Sequence, residues 1–168
     1  PHIVVLYGIG ILVACLCTAL LLAVLYRGTG SSAFLVLACA YLYSGLMAGL
    51  HMATFPGALY PAPLFGDEQT VAWLYLAWRV GASAMFLAAV LLAGSGTNGK
   101  HPGIARQLTG AVVLTLAFTV LLAVLAARLQ GGWLEGNRFS DVAIAAQWVA
   151  VALCALALAL IWLRRAFD

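Results

Sequence analysis

Arg79 is the only charged residue in a long apolar run, VAWLYLAWRVGASAMFLAAVLLA. A guanidinium in hydrocarbon costs at least ~2.5 kcal/mol unless it finds partners. Its planar fork suits a carboxylate or a phosphate, which it grips through two parallel hydrogen bonds. The preceding run, AFLVLACAYLYSGLMAGLHMATF, carries Tyr41, Ser44 and His51. Tyr75, Arg79 and Ser83 recur every fourth residue, which puts them on one face of a helix. Depths follow from ~1.5 Å per residue, counted from the helix ends that the charge pattern below places outside. His51 then lies about 6 Å down, Tyr75 about 9 Å, Arg79 about 15 Å and Ser44 about 16 Å. In the last run Gln147, about 9 Å down, adjoins Trp148. These depths predict a cavity open to the outer side. Tyr41, Ser44, His51, Tyr75, Trp78, Arg79, Gln147 and Trp148 would line it and bind a small molecule.

Simpler readings stand beside this one. Arg79 could bond to loosened carbonyls and tyrosine hydroxyls and hold helices in register. His51 could cap its helix end instead of meeting a ligand. Met47 and Met52 with His51 make at most a soft, partial metal site. A b-type haem needs axial ligands, and only His51 is clearly within an apolar run, with His2 at an outer end. Bis-His ligation is therefore strained, haem is not favoured, and no cofactor is assigned. Cys15, Cys17, Cys39 and Cys154 all lie in apolar runs, where cysteine behaves as a small hydrophobe. Of the tryptophans, Trp78 and Trp148 are deep enough to line a pocket, whereas Trp73, Trp133 and Trp162 suit the membrane interface.

The elements that must position these side chains are set by composition. Of the 168 residues, 65% are hydrophobic and 8% charged, against ~25% charged in ordinary soluble domains. Runs at about 2–26, 33–55, 69–93, 106–128 and 141–163 are each long enough to cross ~30 Å of hydrocarbon. They are continuously apolar, without the alternating ~10-residue segments of a membrane barrel. The fold class expected is all-α, a polytopic transmembrane helix bundle with one domain over 1–168. Gly45-x-x-x-Gly49 lets a neighbouring helix approach closely and reads as packing within the bundle. Pro56-Gly57 ends the second helix, and Asp67 is a suitable N-cap for the third. The loop SGTNGKHPG is assigned no chemistry.

Arg27, Lys100, Arg106, Arg164 and Arg165 flank connections that share one side, while the other carries Asp67, Glu68, Glu135 and Asp141 against Arg128 and Arg138. By the positive-inside rule the first side is cytoplasmic and the C-terminus lies inside. The expected location is a bacterial inner membrane. Pro1 opens directly onto a span with no charged segment before it, so this stretch does not read as a signal peptide. The chain reads as a domain cut from a longer protein, with one more helix ahead of Pro1 giving six spans. No lysine lies in a span, which excludes a retinal Schiff base. No carboxylate lies deeper than Asp141 at the first position of the last run, and no Ser/His/Asp set shares a depth, which argues against proton pumps and intramembrane hydrolases. The net charge of +3 is spread over loop ends, so nucleic acid is not an expected partner. A small transporter would want broken helices or repeated halves, and neither is evident.

Several motifs resemble one family. Leu35 to Ala38, then Tyr41-Leu42, precede His51-x-x-Thr54-Phe55-Pro56-Gly57. After a loop come Gln69-Thr70 and Trp73-Leu74-Tyr75 with Trp78. This pattern resembles the membrane-associated sensor (MASE) domains, specifically the fourth type. One departure is that Arg79 stands where members often carry a histidine, so a histidine pair across these helices is not available. The resemblance implies an input domain that is not itself an enzyme. Such domains commonly precede a cytoplasmic GGDEF diguanylate cyclase, which makes cyclic di-GMP, or a histidine kinase. Its expected partners are a small-molecule ligand, membrane lipids and a second copy in a homodimer.

Overall fold

The computed structural model describes residues 2–93, 103–128, 132–136 and 138–167. Gly99, Lys100 and His101 of the SGTNGKHPG loop lie outside the described residues, as do the side chains of His2 and Arg165. Five helices follow in order: α1 (His2–Thr29), α2 (Ser32–Thr54), α3 (Glu68–Leu92), α4 (Ile104–Arg128) and α5 (Asp141–Phe167). All five are long and apolar enough to cross a membrane. The chain is an all-α polytopic bundle, with helix ends within a few residues of the apolar runs. One feature was not expected. Between α4 and α5, strands β1 (Leu134–Glu135) and β2 (Arg138–Phe139) pair antiparallel, with Leu134 opposite Phe139 and Glu135 opposite Arg138. Gly136 turns this hairpin at a φ of +62°, a left-handed conformation that glycine adopts without a Cβ clash.

The centre of the bundle is α2, which packs on α1, α3 and α4. Many of its buried residues are small, among them Ala38, Ala40, Ser44, Gly45 and Ala48, so neighbouring backbones come close. A Cβ at Gly45 would lie 3.3 Å from Cys15 Cβ and 3.5 Å from Leu12 O, so this glycine seats α1. Around Tyr43, Met47, Leu74, Ala82 and Ala126 lies the buried core. Tyr43 is wholly buried, and its hydroxyl donates to Ala77 O at 2.7 Å, which satisfies a phenol that water cannot reach. Gly81 makes room for that ring: a Cβ there would stand 2.7 Å from Tyr43 Oη.

By contrast, α5 leans on α3, with β2 as its further neighbour. Ala143, Ala150 and Ala157 are its buried residues at 0%, 2% and 6% exposure. Their spacing of seven forms one seam along the helix. Midway, Cys154 Sγ lies 3.2 Å from Ser83 Oγ. At the far end the Arg164 guanidinium donates to Val90 O and Leu91 O in the last turn of α3, where Val90 O also accepts from Ala93 N.

The α2–α3 and α4–α5 loops are fastened to the start of α3. Asp67 accepts from Thr70 N at 2.9 Å, while its own N–H donates to Thr70 Oγ1 at 3.2 Å, a reciprocal capping box. Gln69 holds the opposite loop. Its Oε1 accepts from Trp133 N (3.0 Å) and Leu134 N (2.9 Å), and its Nε2 donates to Leu134 O (2.9 Å). Ser140 N donates to Trp133 O at 3.0 Å, so the hairpin is closed onto the first turn of α5.

Candidate functional site

A cleft of about 450 Å³ lies where α1, α2, α3 and α5 meet. From α1 it takes Tyr7, Gly8, Ile11 and Cys15, and from α5 Cys154. On α2, Tyr41, Ser44, Ala48 and His51 line it at intervals of three and four, so a single helix face supplies them. On α3 the stripe Tyr75, Arg79, Ser83 does the same, joined by Trp78, Ala82 and Phe86. Tyr41 is braced edge-on against Phe86, with ring centroids 5.4 Å apart. Gly8 leaves space for Met52, whose Sδ would be 2.9 Å from a Cβ there.

Six of the eight residues singled out from the sequence thus share one cavity: Tyr41, Ser44, His51, Tyr75, Trp78 and Arg79. Gln147 and Trp148 do not. They border a separate hollow with Ile144 and Val151, and Trp148 is 68% exposed. The reason is rotation about the helix axis. Trp148 stands two residues, about 200°, from Ala150, and Ala150 is the face that α5 turns toward α3. Met47 belongs to the core and not to the cleft, so His51, Met47 and Met52 do not converge on a common point. Among the described residues no group of three or more His, Cys, Asp and Glu is gathered as a metal site would need.

The polar groups in the cleft are short of partners. Arg79 is exposed to it, and among the described residues its guanidinium has neither a hydrogen bond nor an ion pair. The hydroxyls of Tyr41, Ser44 and Tyr75 have no internal hydrogen bond there either. His51 Nδ1 is buried without a partner, although the ring lies between Phe55 and Tyr75 at centroid separations of 6.0 and 5.9 Å. Ser83 is satisfied, donating to Arg79 O at 2.8 Å and lying against Cys154, and the His51 ring also interacts with the Val71 backbone. A register clamp would show Arg79 bonded to neighbouring carbonyls or hydroxyls. The arrangement instead leaves one fixed cation, hydroxyls and an imidazole facing a common space at membrane depth, which can hold an anion with an apolar remainder.

His51 and Tyr75 also border a second cavity of about 580 Å³ beneath the hairpin, which the loop charges would place on the outer side. Sequence reasoning missed it because Phe139 and Gly136 reach it from a loop about 70 residues away. The signal available was the Gly136-Asn137 pair between Trp133-Leu134-Glu135 and Arg138-Phe139, a hairpin cue. It also missed the role of Gln69, although Gln69-Thr70 was part of the motif. The motif pair is structural, with one residue holding the hairpin and the other the capping box.

The sequence pattern of one family, described as membrane-associated sensor, integral membrane domain (MASE4), matches residues 1–165. No curated protein and no solved structure matches the chain. The motifs from Leu35 to Trp78 are therefore one part of a likeness that runs nearly end to end, and the chain belongs to the MASE4 family of membrane-associated sensor domains.

Proposed function

We propose that this domain senses a small amphiphilic anion, a carboxylate or phosphate with an apolar body, bound in the cleft against Arg79. The observation that carries this reading is the set of unpartnered polar groups on Tyr41, Ser44, His51, Tyr75 and Arg79 around one cavity. Leaving such groups dry in a membrane costs several kcal/mol, and a ligand with matching acceptors repays it. Occupancy would bias α3, and α5 rests on α3, so the signal leaves along α5 to its C-terminal end. In our reading that end is cytoplasmic in a bacterial inner membrane. A diguanylate cyclase of the GGDEF type or a histidine kinase follows it, working as a homodimer.

Decanoate is a suitable probe, because it joins a carboxylate to a flexible apolar chain. Titrated against the chain in dodecyl maltoside, it should raise the melting temperature saturably. Arg79→Lys keeps the charge and loses the fork, and should weaken binding roughly ten- to a hundred-fold, or ~1.5–3 kcal/mol. Equal affinities for the two proteins, or no saturable effect on the wild type, would remove Arg79 and the cleft from ligand binding.

A further inference from the structure

We infer that the outer cavity is a second binding site, of opposite charge preference, for an organic cation with an apolar or methylated body. Four rings line its wall in succession: Phe55, His51, Tyr75 and Phe139. Successive centroids are 6.0, 5.9 and 6.3 Å apart, the first two pairs tilted and the last stacked, so the rings form a chain of aromatic contacts along the wall. Such a surface attracts cations through the negative faces of its rings, most of all quaternary ammonium groups that carry little hydration to lose. Glu68 is the one charged side chain among the described residues that border the cavity. It has no ion-pair partner among them.

The geometry comes from the helix repeat. Glu68, Val71, Ala72 and Tyr75 fall at i, i+3, i+4 and i+7, one stripe along α3 that faces the hairpin. A carboxylate thus sits at the rim and a phenol ring two turns, about 10 Å, below it. A cationic head meets Glu68 while its body lies on the rings. The hairpin contributes selectively: in β2, Phe139 lines the cavity and its neighbour Arg138 does not, because successive strand residues face opposite ways. The start of α3 opposes a cation with about +0.5 of a charge. Asp67 and Glu68 together outweigh it fourfold in charge, and Asp67 already occupies Thr70 N in the capping box. At about 580 Å³ the space is of the size that holds small organic ligands.

This site does not depend on the anion reading of the cleft. The two share His51 and Tyr75, but Arg79 borders only the cleft and Glu68 only the outer cavity. The probe is benzyltrimethylammonium, with uncharged benzyl alcohol as its control. Dodecyl maltoside is the detergent, since its uncharged headgroup does not compete. Followed by intrinsic fluorescence, the chain should bind the cation saturably and at least ten-fold more tightly than the alcohol. Glu68→Gln should weaken cation binding on the order of ten-fold, and Phe139→Leu, which keeps bulk but loses the π face, several-fold. Glu68 is exposed and outside the capping box, so its variant should melt as the wild type does. Arg79→Lys should leave cation affinity unchanged. The proposal is overturned if the alcohol binds as well as the cation, if Glu68→Gln binds it as tightly as the wild type, or if Arg79→Lys weakens it equally.

Discussion

Arg79 and Ser83 stand one turn apart on α3, yet among the described residues only the serine side chain has partners. That difference separates a residue that holds the bundle from one that waits for something else. Arg79→Leu tests it, because leucine suits a membrane interior and removes the fork entirely. The expected outcome is a melting temperature in detergent no lower than that of the wild type, together with a full-length protein that no longer responds to its stimulus. Early melting with the response intact would make Arg79 a clamp. Tyr43 is the opposite case. Its ring is enclosed and its hydroxyl is committed to Ala77 O, so Tyr43→Phe should lower stability by about 0.5–1.5 kcal/mol in denaturation and leave ligand affinity alone.

At the scale of elements, the level of a residue along its helix could be read from the sequence and rotation could not. Tyr41, Ser44, His51, Tyr75 and Arg79 come together because each lies on a helix packed directly against its neighbour, so spacing and depth were sufficient. Gln147 and Trp148 had the right depth on a helix whose seam is set by Ala143, Ala150 and Ala157, and an apolar face of alanines is not distinctive among so many apolar residues. The hairpin escaped notice for a similar reason: its strands are two residues long and are held by Gln69 from a distant helix more than by their own propensity. Gln69→Ala should therefore free the Trp133 and Leu134 amides, cost about 1–3 kcal/mol, and show faster hydrogen exchange at those two positions. Gly81 is where α2 and α3 approach most demandingly. Gly81→Ala would drive a methyl into the Tyr43 ring and should cost about 1–3 kcal/mol in thermal or denaturant unfolding. An alanine variant as stable as the wild type would mean that the ring moves aside without losing Ala77.

Across the whole molecule, class and number of spans followed from composition alone, since 65% hydrophobic residues in five long runs leave few other solutions. The orientation rests on the loop charges and is open to a direct check. With the native cysteines replaced by alanine, single cysteines at Gly57 and Gly132 should react with an impermeant maleimide added to intact cells. One at Gly99 should react only after the cells are opened. The reverse pattern would turn the outer cavity toward the cytoplasm and with it the account of what reaches the site. The larger claim is that occupancy of the cleft is passed through α3 to α5. Packing makes this concrete, because α5 is joined to α3 at Ser83–Cys154 and at Arg164 with Val90 and Leu91. Val24 on α1 and Leu158 on α5 are both exposed, 66% and 67%, and can carry spin labels without disturbing the core. Their separation, measured by pulsed electron spin resonance in labelled chains diluted with unlabelled ones, reports whether α5 moves relative to the rest. Saturating decanoate should shift it by on the order of 1–2 Å, the scale of helix displacements in signalling proteins, and Arg79→Leu should abolish the shift. A distance distribution unchanged by decanoate, under conditions where the probe demonstrably binds, would contradict the claim that α5 carries the signal.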